Sequence, residues 1–261
     1  MRLRDLAELV RAPAALSVPG DAVAGAAASG TLGRATPALA AASVCLYWGG
    51  MAANDWADRD LDARERPERP IPSGRVSPGH AWLTAAGLTG AGVLIAGLAG
   101  GRRGAAVAVP LAAAVWAYDL WAKNTAAGPA VMAACRGLDV LLGASGGRVR
   151  RAVPAALTVA AHTYTVTALS RHEVSGARPA LPAATLAGTL ALAAVTAGRR
   201  AGAAGQGSAG PVFTGSVPAT PGPATAGPAA LLAAWYATGY GAAQVRAIAD
   251  PAAGRVRAAV G

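Results

Sequence analysis

Eight long apolar runs restrict the folds that this chain can adopt. Alanine and glycine dominate the runs, and charged residues are rare within them. Each run approaches the roughly 20 apolar residues that cross the hydrocarbon core of a bilayer, and small residues let such helices pack closely. The sequence therefore predicts an all-α, polytopic transmembrane helical bundle of about eight or nine helices, in a single domain over residues 1–261. The predicted spans are residues 13–32, 35–53, 79–101, 104–121, 128–147, 152–169, 180–198 and 228–245.

The charges in the loops predict how the bundle is oriented. With the N-terminus inside, the inner segments carry 14 basic residues and the outer loops carry 8. Lys and Arg are in excess in the cytoplasmic loops of membrane proteins. We therefore expect a multi-pass cell-membrane protein whose N-terminus and polar loops 54–78, 122–128 and 170–179 are cytoplasmic. The same pattern accounts for the net charge of +10, so we expect membrane lipid and no nucleic acid as a partner.

A dense island of charge occupies residues 54–75, in a chain of which only 14% is charged. On a helix, Asp55, Asp58 and Asp62 share one face, whereas Asp60 points roughly the other way. Carboxylates on one stripe repel each other unless a cation lies among them. Their hard oxygens suit Mg²⁺, which also binds substrate phosphates. The island predicts a site for Mg²⁺ and a diphosphate.

The residue pattern of this island resembles a known family signature. The pattern Asn-Asp-x-x-Asp-x-x-x-Asp begins at Asn54, and Arg66 and the stretch Arg-Pro-Ile-Pro-Ser-Gly at residues 69–74 follow it. Together with the hydropathy pattern of the whole chain, the segment resembles the UbiA family of membrane prenyltransferases. The resemblance implies a UbiA-type fold and a prenyl diphosphate substrate. It implies catalytic carboxylates at Asp55, Asp58 and Asp62, which hold Mg²⁺ together with Asn54, and diphosphate contacts from Arg66 and Arg69.

The second acidic motif of that family is reduced in this chain. UbiA proteins usually carry two or three Asp after the sixth helix, but the matching segment 164–176 keeps one carboxylate, Glu173, preceded by Ser170 and Arg171. The resemblance implies that Glu173 is a further metal ligand and that Arg171 supplies positive charge near the diphosphate. An ordinary surface role for Glu173 at a helix end stays open. Within the family, the residues of the two motifs resemble those of the EboC-type branch.

Lys123 is the one lysine among 23 basic residues. The segment from Tyr118 to Lys123 resembles the family's Tyr-x-x-x-x-Lys segment, and a compact ammonium suits a diphosphate oxygen. We therefore assign Lys123 to the diphosphate. An ion pair with Asp119, one helical turn earlier, is the open alternative.

Four ionisable residues lie inside predicted spans, where such groups are rare and face a cavity or each other. They are Asp21, Arg136, Asp139 and His162. We assign them to a candidate acceptor pocket. Purely structural roles stay open for all four: an ion pair between Arg136 and Asp139, and polar contacts between helices at Asp21 and His162.

These features predict an enzyme that transfers alkyl groups other than methyl. It moves a prenyl group from a prenyl diphosphate, with Mg²⁺ as cofactor, to a small acceptor that is aromatic, such as 4-hydroxybenzoate, or a polyol. A UbiA-superfamily terpene cyclase is the main rival, although 5% aromatic residues are few for a cavity that stabilises cations. A phospholipid-type alcohol phosphotransferase lacks its Asp-Gly-x-x-Ala-Arg pattern here. A non-catalytic membrane protein has no evident use for the acidic stripe.

Overall fold

The computed structural model describes residues 2–171 continuously and, beyond them, residues 183, 185–190, 194, 234–235, 237–239, 241–242, 244–245 and 248. The regular structure of residues 2–171 is helical, as the apolar runs predict. The α-helices are α1 (Leu3–Leu9), α2 (Pro19–Ser29), α3 (Thr36–Ala57), α4 (Arg59–Glu65), α5 (Pro78–Leu120), α6 (Gly128–Gly143) and α7 (Val153–Ser170). Short 3-10 helices occupy Ala12–Ser17, Ala122–Asn124, Ala144–Gly146 and Val149–Ala152.

The chain forms two compact units, and the single domain over residues 1–261 stays a prediction. The first unit is Met1–Tyr164, and it contains all the side chains of the site described below. The second unit is Thr165–Gly261, in which Thr185, Thr189 and Gln244 are buried. The predicted spans 180–198 and 228–245 belong to the second unit and lie mostly outside the described residues.

The first predicted span is wrong as a continuous helix. Residues 13–32 contain part of a 3-10 helix and then the 11 residues of α2, which rise about 16 Å, roughly half the thickness of the hydrocarbon core. Pro19 explains the division, because it has no N–H to continue the preceding turn but fits the first turn of a new helix. Helices α3, α6 and α7 match the second, fifth and sixth predicted spans to within a few residues.

Helix α5 contains the third and fourth predicted spans and reverses between them at Gly101. This residue has φ 61° and ψ −151°, a conformation essentially restricted to glycine. A Cβ atom on Gly104 would collide with the carbonyl oxygen of Ala96, so the two arms fold back onto each other. Trp116 Nε1 joins the arms by donating to Thr89 Oγ1 at 3.0 Å. By length and composition, α5 and the segment Val149–Ser170 are the described helices suited to cross a membrane.

Two apolar clusters position the polar end of the first unit. The larger packs α3, α5 and α6 together through residues such as Leu39, Leu111 and Leu142. The smaller joins Leu9 of α1 to the last turns of α3, to Ile71 and Val76 in the loop, and to the start of α5. The smaller cluster fixes the loop after α4 against the end of α3, which is where the charged island lies.

Candidate active site

The acidic motif keeps a nearly helical path across the joint between α3 and α4. Asp58 occupies the joint, yet its N–H donates to Asn54 O at 2.9 Å and its carbonyl accepts from Asp62 N at 2.8 Å. Asp55 and Asp62 are therefore buried on one side. Asp60 is exposed, and its one ion pair, with Arg59, is long at 3.7 Å. Asp55 and Asp62 thus share the buried side and Asp60 does not, while the catalytic role of this face stays a prediction.

Arg69 joins two of the motif carboxylates through a single nitrogen. Its Nη1 lies 2.6 Å from Asp62 Oδ2 and 3.3 Å from Asp55 Oδ1. Asp55 and Asp62 are only 4% and 3% exposed, and buried carboxylates require partners of opposite charge. Burial raises the pKa of the Asp55 carboxyl group, and the positive charges of Arg11 and Arg69 reduce that rise. One positive atom already lies between two carboxylates, which is the electrostatic position of a bridging cation.

A clamp between the N-terminal helix and the loop fixes the chain just after Arg69. Arg75 Nη1 and Nη2 donate to both carboxylate oxygens of Glu8, at 2.6 and 2.8 Å, and Nη1 also lies 3.1 Å from Asp5 Oδ1. Within the loop, Val76 N donates to Pro70 O at 2.9 Å, next to Arg69. The clamp therefore links the position of Arg69 to that of α1.

Arg11 is a site residue that sequence reasoning missed, because it was counted only as a loop charge. Its Nη2 donates to Asp55 Oδ1 at 2.9 Å. Its backbone has φ 48° and ψ 52°, the left-handed conformation that side chains other than glycine rarely adopt. No local sequence pattern predicts this contact, since 44 residues separate the partners.

Lys123 lies at the motif, and its assignment to the diphosphate stays a prediction. Its Nζ is 2.7 Å from Asp58 Oδ1. The alternative partner, Asp119, instead accepts a hydrogen bond from Asn54 Nδ2 at 3.2 Å. Asp119 is 2% exposed and was considered before only as a partner for Lys123. It is the second site residue that sequence reasoning missed.

A cavity of about 140 Å³ lies between α3, α5 and α6, next to the motif. Its walls are mainly apolar, with Leu46, Leu111 and Met132 among them. Asp119 lines the cavity and also bonds to Asn54 of the motif, so it connects the two. The arrangement places an apolar chamber directly beside a cluster of carboxylates and cations.

Two of the four candidate acceptor residues, Arg136 and Asp139, line this cavity. They do not pair with each other. Arg136 Nε lies 2.8 Å from Asp21 Oδ2, and Arg136 Nη2 donates to Asp21 Oδ1 at 3.2 Å. Asp139 Oδ2 instead accepts from Ser43 Oγ at 2.6 Å. The alternative of an Arg136–Asp139 ion pair is therefore wrong, because the guanidinium turns across the helix interface to α2. His162 is half-buried on α7 and is not among the residues that line the cavity.

Of the remaining candidates, Arg66 is not brought to the motif, whereas Arg171 belongs to the second unit. Arg66 is exposed at the end of α4, and none of the salt bridges among the described residues includes it. Arg171 is exposed just after α7, and Glu173 lies outside the described residues. Within the described part of the chain, no three Asp, Glu, His or Cys side chains are grouped to hold a metal ion, because basic side chains separate the carboxylates. The magnesium site remains a prediction.

A model of the UbiA prenyltransferase family matches residues 16–248. The chain belongs to this family. The family resemblance found in the motif is thus confirmed, and so is the all-α bundle of UbiA type. The finer resemblance to the EboC-type branch stays a prediction.

Similar proteins include two digeranylgeranylglyceryl phosphate synthases. The one from Methanothrix thermoacetophila is 53% identical over 64 residues, which are 24% of each chain. The one from Ignicoccus hospitalis is 38% identical over 124 residues, 48% of this chain and 41% of that protein. The matched segments thus span less than half the length of these relatives.

A solved structure described as a digeranylgeranylglyceryl phosphate synthase in membranes has the same fold. It aligns with a TM-score of 0.69 and 13% identity, over 99% of this chain and 91% of that chain. At this identity, the match supports the fold alone.

Proposed function

We propose that this protein is a Mg²⁺-dependent membrane prenyltransferase that moves a prenyl group from a prenyl diphosphate to a small acceptor. The observation that carries the proposal is the junction at Asn54 and Asp119. On one side of it lie three carboxylates and three cations, and on the other lies an apolar cavity. A prenyl diphosphate has the same two halves, a charged head and an apolar chain. Membership of a prenyltransferase family supports the proposal that the substrate of this site is a prenyl diphosphate.

The residues of the motif fit Mg²⁺. Asp55, Asp58 and Asp62 offer hard carboxylate oxygens, and Arg69 Nη1 already lies between Asp55 and Asp62 at 3.3 and 2.6 Å. We propose that these carboxylates hold the metal together with Asn54. When bound, the ion neutralises negative charge on the diphosphate leaving group.

The basic side chains of the motif are proposed to bind the diphosphate. Arg69 and Lys123 are now held by carboxylates, and both side chains would be free to bind phosphate oxygens if those carboxylates held a metal ion. Arg11 contacts Asp55 and is available in the same way. Positive charge held where negative charge develops favours ionisation of the bond between C1 and the diphosphate oxygen.

The cavity is proposed to receive the acceptor beside the apolar end of the prenyl diphosphate and to exclude water from the allylic cation. Its apolar walls lower the chance that water attacks C1 before the acceptor does. The acceptor hydroxyl then forms the new bond to C1 and loses its proton. Asp119 is buried between the motif and the cavity, so we propose that its carboxylate takes this proton.

A terpene cyclase is less well supported. Of the cavity residues, only Tyr47 and Tyr118 are aromatic, within the part of the chain that the structure describes. Cation stabilisation by aromatic faces needs more such side chains. Because a cyclase would need more aromatic side chains, we propose that the cation is captured by a separate acceptor molecule and not by its own prenyl chain. We further propose that the motif faces the cytoplasm, from the charge bias of the loops.

One incubation tests the function. The full chain in liposomes is supplied with Mg²⁺, radiolabelled prenyl diphosphates of several lengths, and either 4-hydroxybenzoate or a glycerol-type polyol. We expect a prenylated lipid product that requires the acceptor, and no product from the Asp62→Asn variant. Release of diphosphate with a hydrocarbon or prenyl alcohol product in the absence of acceptor would indicate a cyclase. No diphosphate release under any condition contradicts both readings.

A further inference from the structure

Asp139 lines the cavity, and in the described structure one of its oxygens is buried without a partner. Asp139 is 5% exposed, and its Oδ2 accepts from Ser43 Oγ at 2.6 Å. Its Oδ1 has no hydrogen-bond partner among the described residues. A buried carboxyl oxygen without a hydrogen bond is costly, so such an atom on a cavity wall indicates a ligand group that donates to it.

The guanidinium group of Arg136, which lines the cavity, already pairs with a carboxylate of the protein. Arg136 Nε and Nη2 both contact the carboxylate of Asp21, at 2.8 and 3.2 Å. The hydrogen bond from Nη2 to Oδ1 and the close approach of Nε to Oδ2 together make a charge-assisted pair. A carboxylate on an acceptor would have to displace Asp21 to obtain the same contact, and Asp21 would then be left buried without its partner.

The charges around the cavity also disfavour an anion. Arg136 is neutralised by Asp21, while Asp119 and Asp139 contribute two further carboxyl groups. Asp119 has the neutral Asn54 amide as its hydrogen-bond partner, and Asp139 has the neutral Ser43 hydroxyl. An anionic acceptor would approach two acidic side chains whose hydrogen-bond partners among the described residues are both neutral. A hydroxyl group instead donates to Asp139 without adding charge.

We infer that Asp139 Oδ1 binds a hydroxyl group of an uncharged acceptor, and that the Asp21–Arg136 pair excludes acceptors that carry a carboxylate. The inference rests on the proposed function, because it assigns the acceptor to this cavity. Between the two predicted acceptor classes it selects neutral, hydroxyl-bearing molecules, the class of polyols, over 4-hydroxybenzoate. Asp139 and Asp21 are thereby specificity-determining residues.

The test compares two probes that share a ring and differ in one group. 4-Hydroxybenzyl alcohol is neutral, whereas 4-hydroxybenzoate carries a carboxylate. Binding of each to the full chain in detergent is measured by saturation-transfer NMR, without Mg²⁺ or prenyl diphosphate. The wild-type protein is expected to bind the alcohol at least about tenfold more tightly, the effect of one hydrogen bond to a charged group. Tighter binding of the benzoate, or no binding of either probe, overturns the inference.

Single variants test the roles of Asp139 and Asp21 separately. Asp139→Leu should weaken binding of the alcohol roughly tenfold, because its hydrogen-bond acceptor is lost. Asp21→Asn should strengthen binding of the benzoate roughly tenfold, because Arg136 gains a free guanidinium, and Arg136→Gln added to it should cancel the gain. An unchanged preference in folded Asp21→Asn overturns the role of the pair. Because the probes bind without diphosphate, failure of the proposed transferase activity would leave these results unchanged and is recognised separately.

Discussion

Arg11 donates a hydrogen bond to Asp55 at 2.9 Å from a backbone conformation that its residue type disfavours. The left-handed conformation costs a residue with a side chain about 1–2 kcal/mol. Strain of this kind persists where the surrounding structure enforces it, and it concentrates at functional sites. Here the strained residue supplies a cation to the buried carboxylate at the start of the acidic motif.

Replacing Arg11 by glycine should separate stability from activity. Glycine relieves the left-handed strain, which offsets part of the cost of removing one cation from buried Asp55 while Arg69 remains, so the free energy of unfolding should fall by only about 1 kcal/mol. The value of kcat/KM for prenyl diphosphate should fall roughly tenfold, because one charge-assisted contact is lost. Thermal unfolding and steady-state kinetics measure the two effects. Arg34→Gly, in an exposed loop, is the matched control, and an equal loss of activity there would contradict the assignment.

Removing Arg69 should make the stability of the protein depend on Mg²⁺. Arg69→Gln leaves Asp55 and Asp62 buried with less positive charge, which should cost about 3 kcal/mol. If the metal takes the position of the guanidinium, adding Mg²⁺ without diphosphate should raise the melting temperature more in this variant than in the wild type. The exposed Arg66→Gln variant serves as the control. The same Mg²⁺ response in both variants would argue against a metal position at Arg69.

The carboxylates of the motif should differ according to the face on which they lie. Asp55→Asn, Asp58→Asn and Asp62→Asn should each reduce kcat by about a hundredfold or more, through lost stabilisation of the leaving group. Asp60→Asn should stay within about threefold of the wild type, since its carboxylate is exposed and makes only a weak ion pair. Product formation from radiolabelled prenyl diphosphate measures each rate. Comparable losses at all four positions would mean that the one-sided stripe is not the site.

The clamp between Glu8 and Arg75 should make a small contribution to stability that depends on pH. The hydrogen bond from Arg75 lowers the pKa of Glu8 below its ordinary value. A lowered folded-state pKa stabilises the protein above the unfolded pKa, and that stabilisation disappears as the pH falls through the folded value. Glu8→Gln should therefore cost less than about 1 kcal/mol near pH 7, because the pair is exposed, and nothing at a pH below both values. Chemical denaturation at the two pH values measures it. A cost that persists in acid would assign the effect to packing instead.

Orientation in the membrane can be measured with two single cysteines. In a variant with Cys45 and Cys135 replaced by alanine, Ser73→Cys should react with an impermeant maleimide only from the cytoplasmic side. Arg150→Cys should react only from the opposite side. Both positions are exposed, so access to the reagent depends on sidedness. Reaction of Ser73→Cys from outside would reverse the orientation predicted from loop charge.

The sequence by itself determined the features that repeat along a helix. Apolar runs of membrane length predicted an all-α bundle, because a chain in a bilayer must satisfy its backbone hydrogen bonds internally. The spacing of Asp55, Asp58 and Asp62 predicted a shared face, and the exposed Asp60 agrees with it. These inferences held because helical periodicity is a local property of the chain.

Only the tertiary structure decided which charges meet. Arg136 pairs with Asp21, 115 residues away, rather than with Asp139 on its own helix. Arg11 reaches Asp55 because the smaller apolar cluster brings α1 against the end of α3. Such pairs depend on how the helices pack, and packing is a cooperative result of many apolar contacts that no short stretch of sequence encodes. The stripe of carboxylates was therefore predictable, whereas the cations that neutralise it and the buried, unpaired oxygen of Asp139 were not.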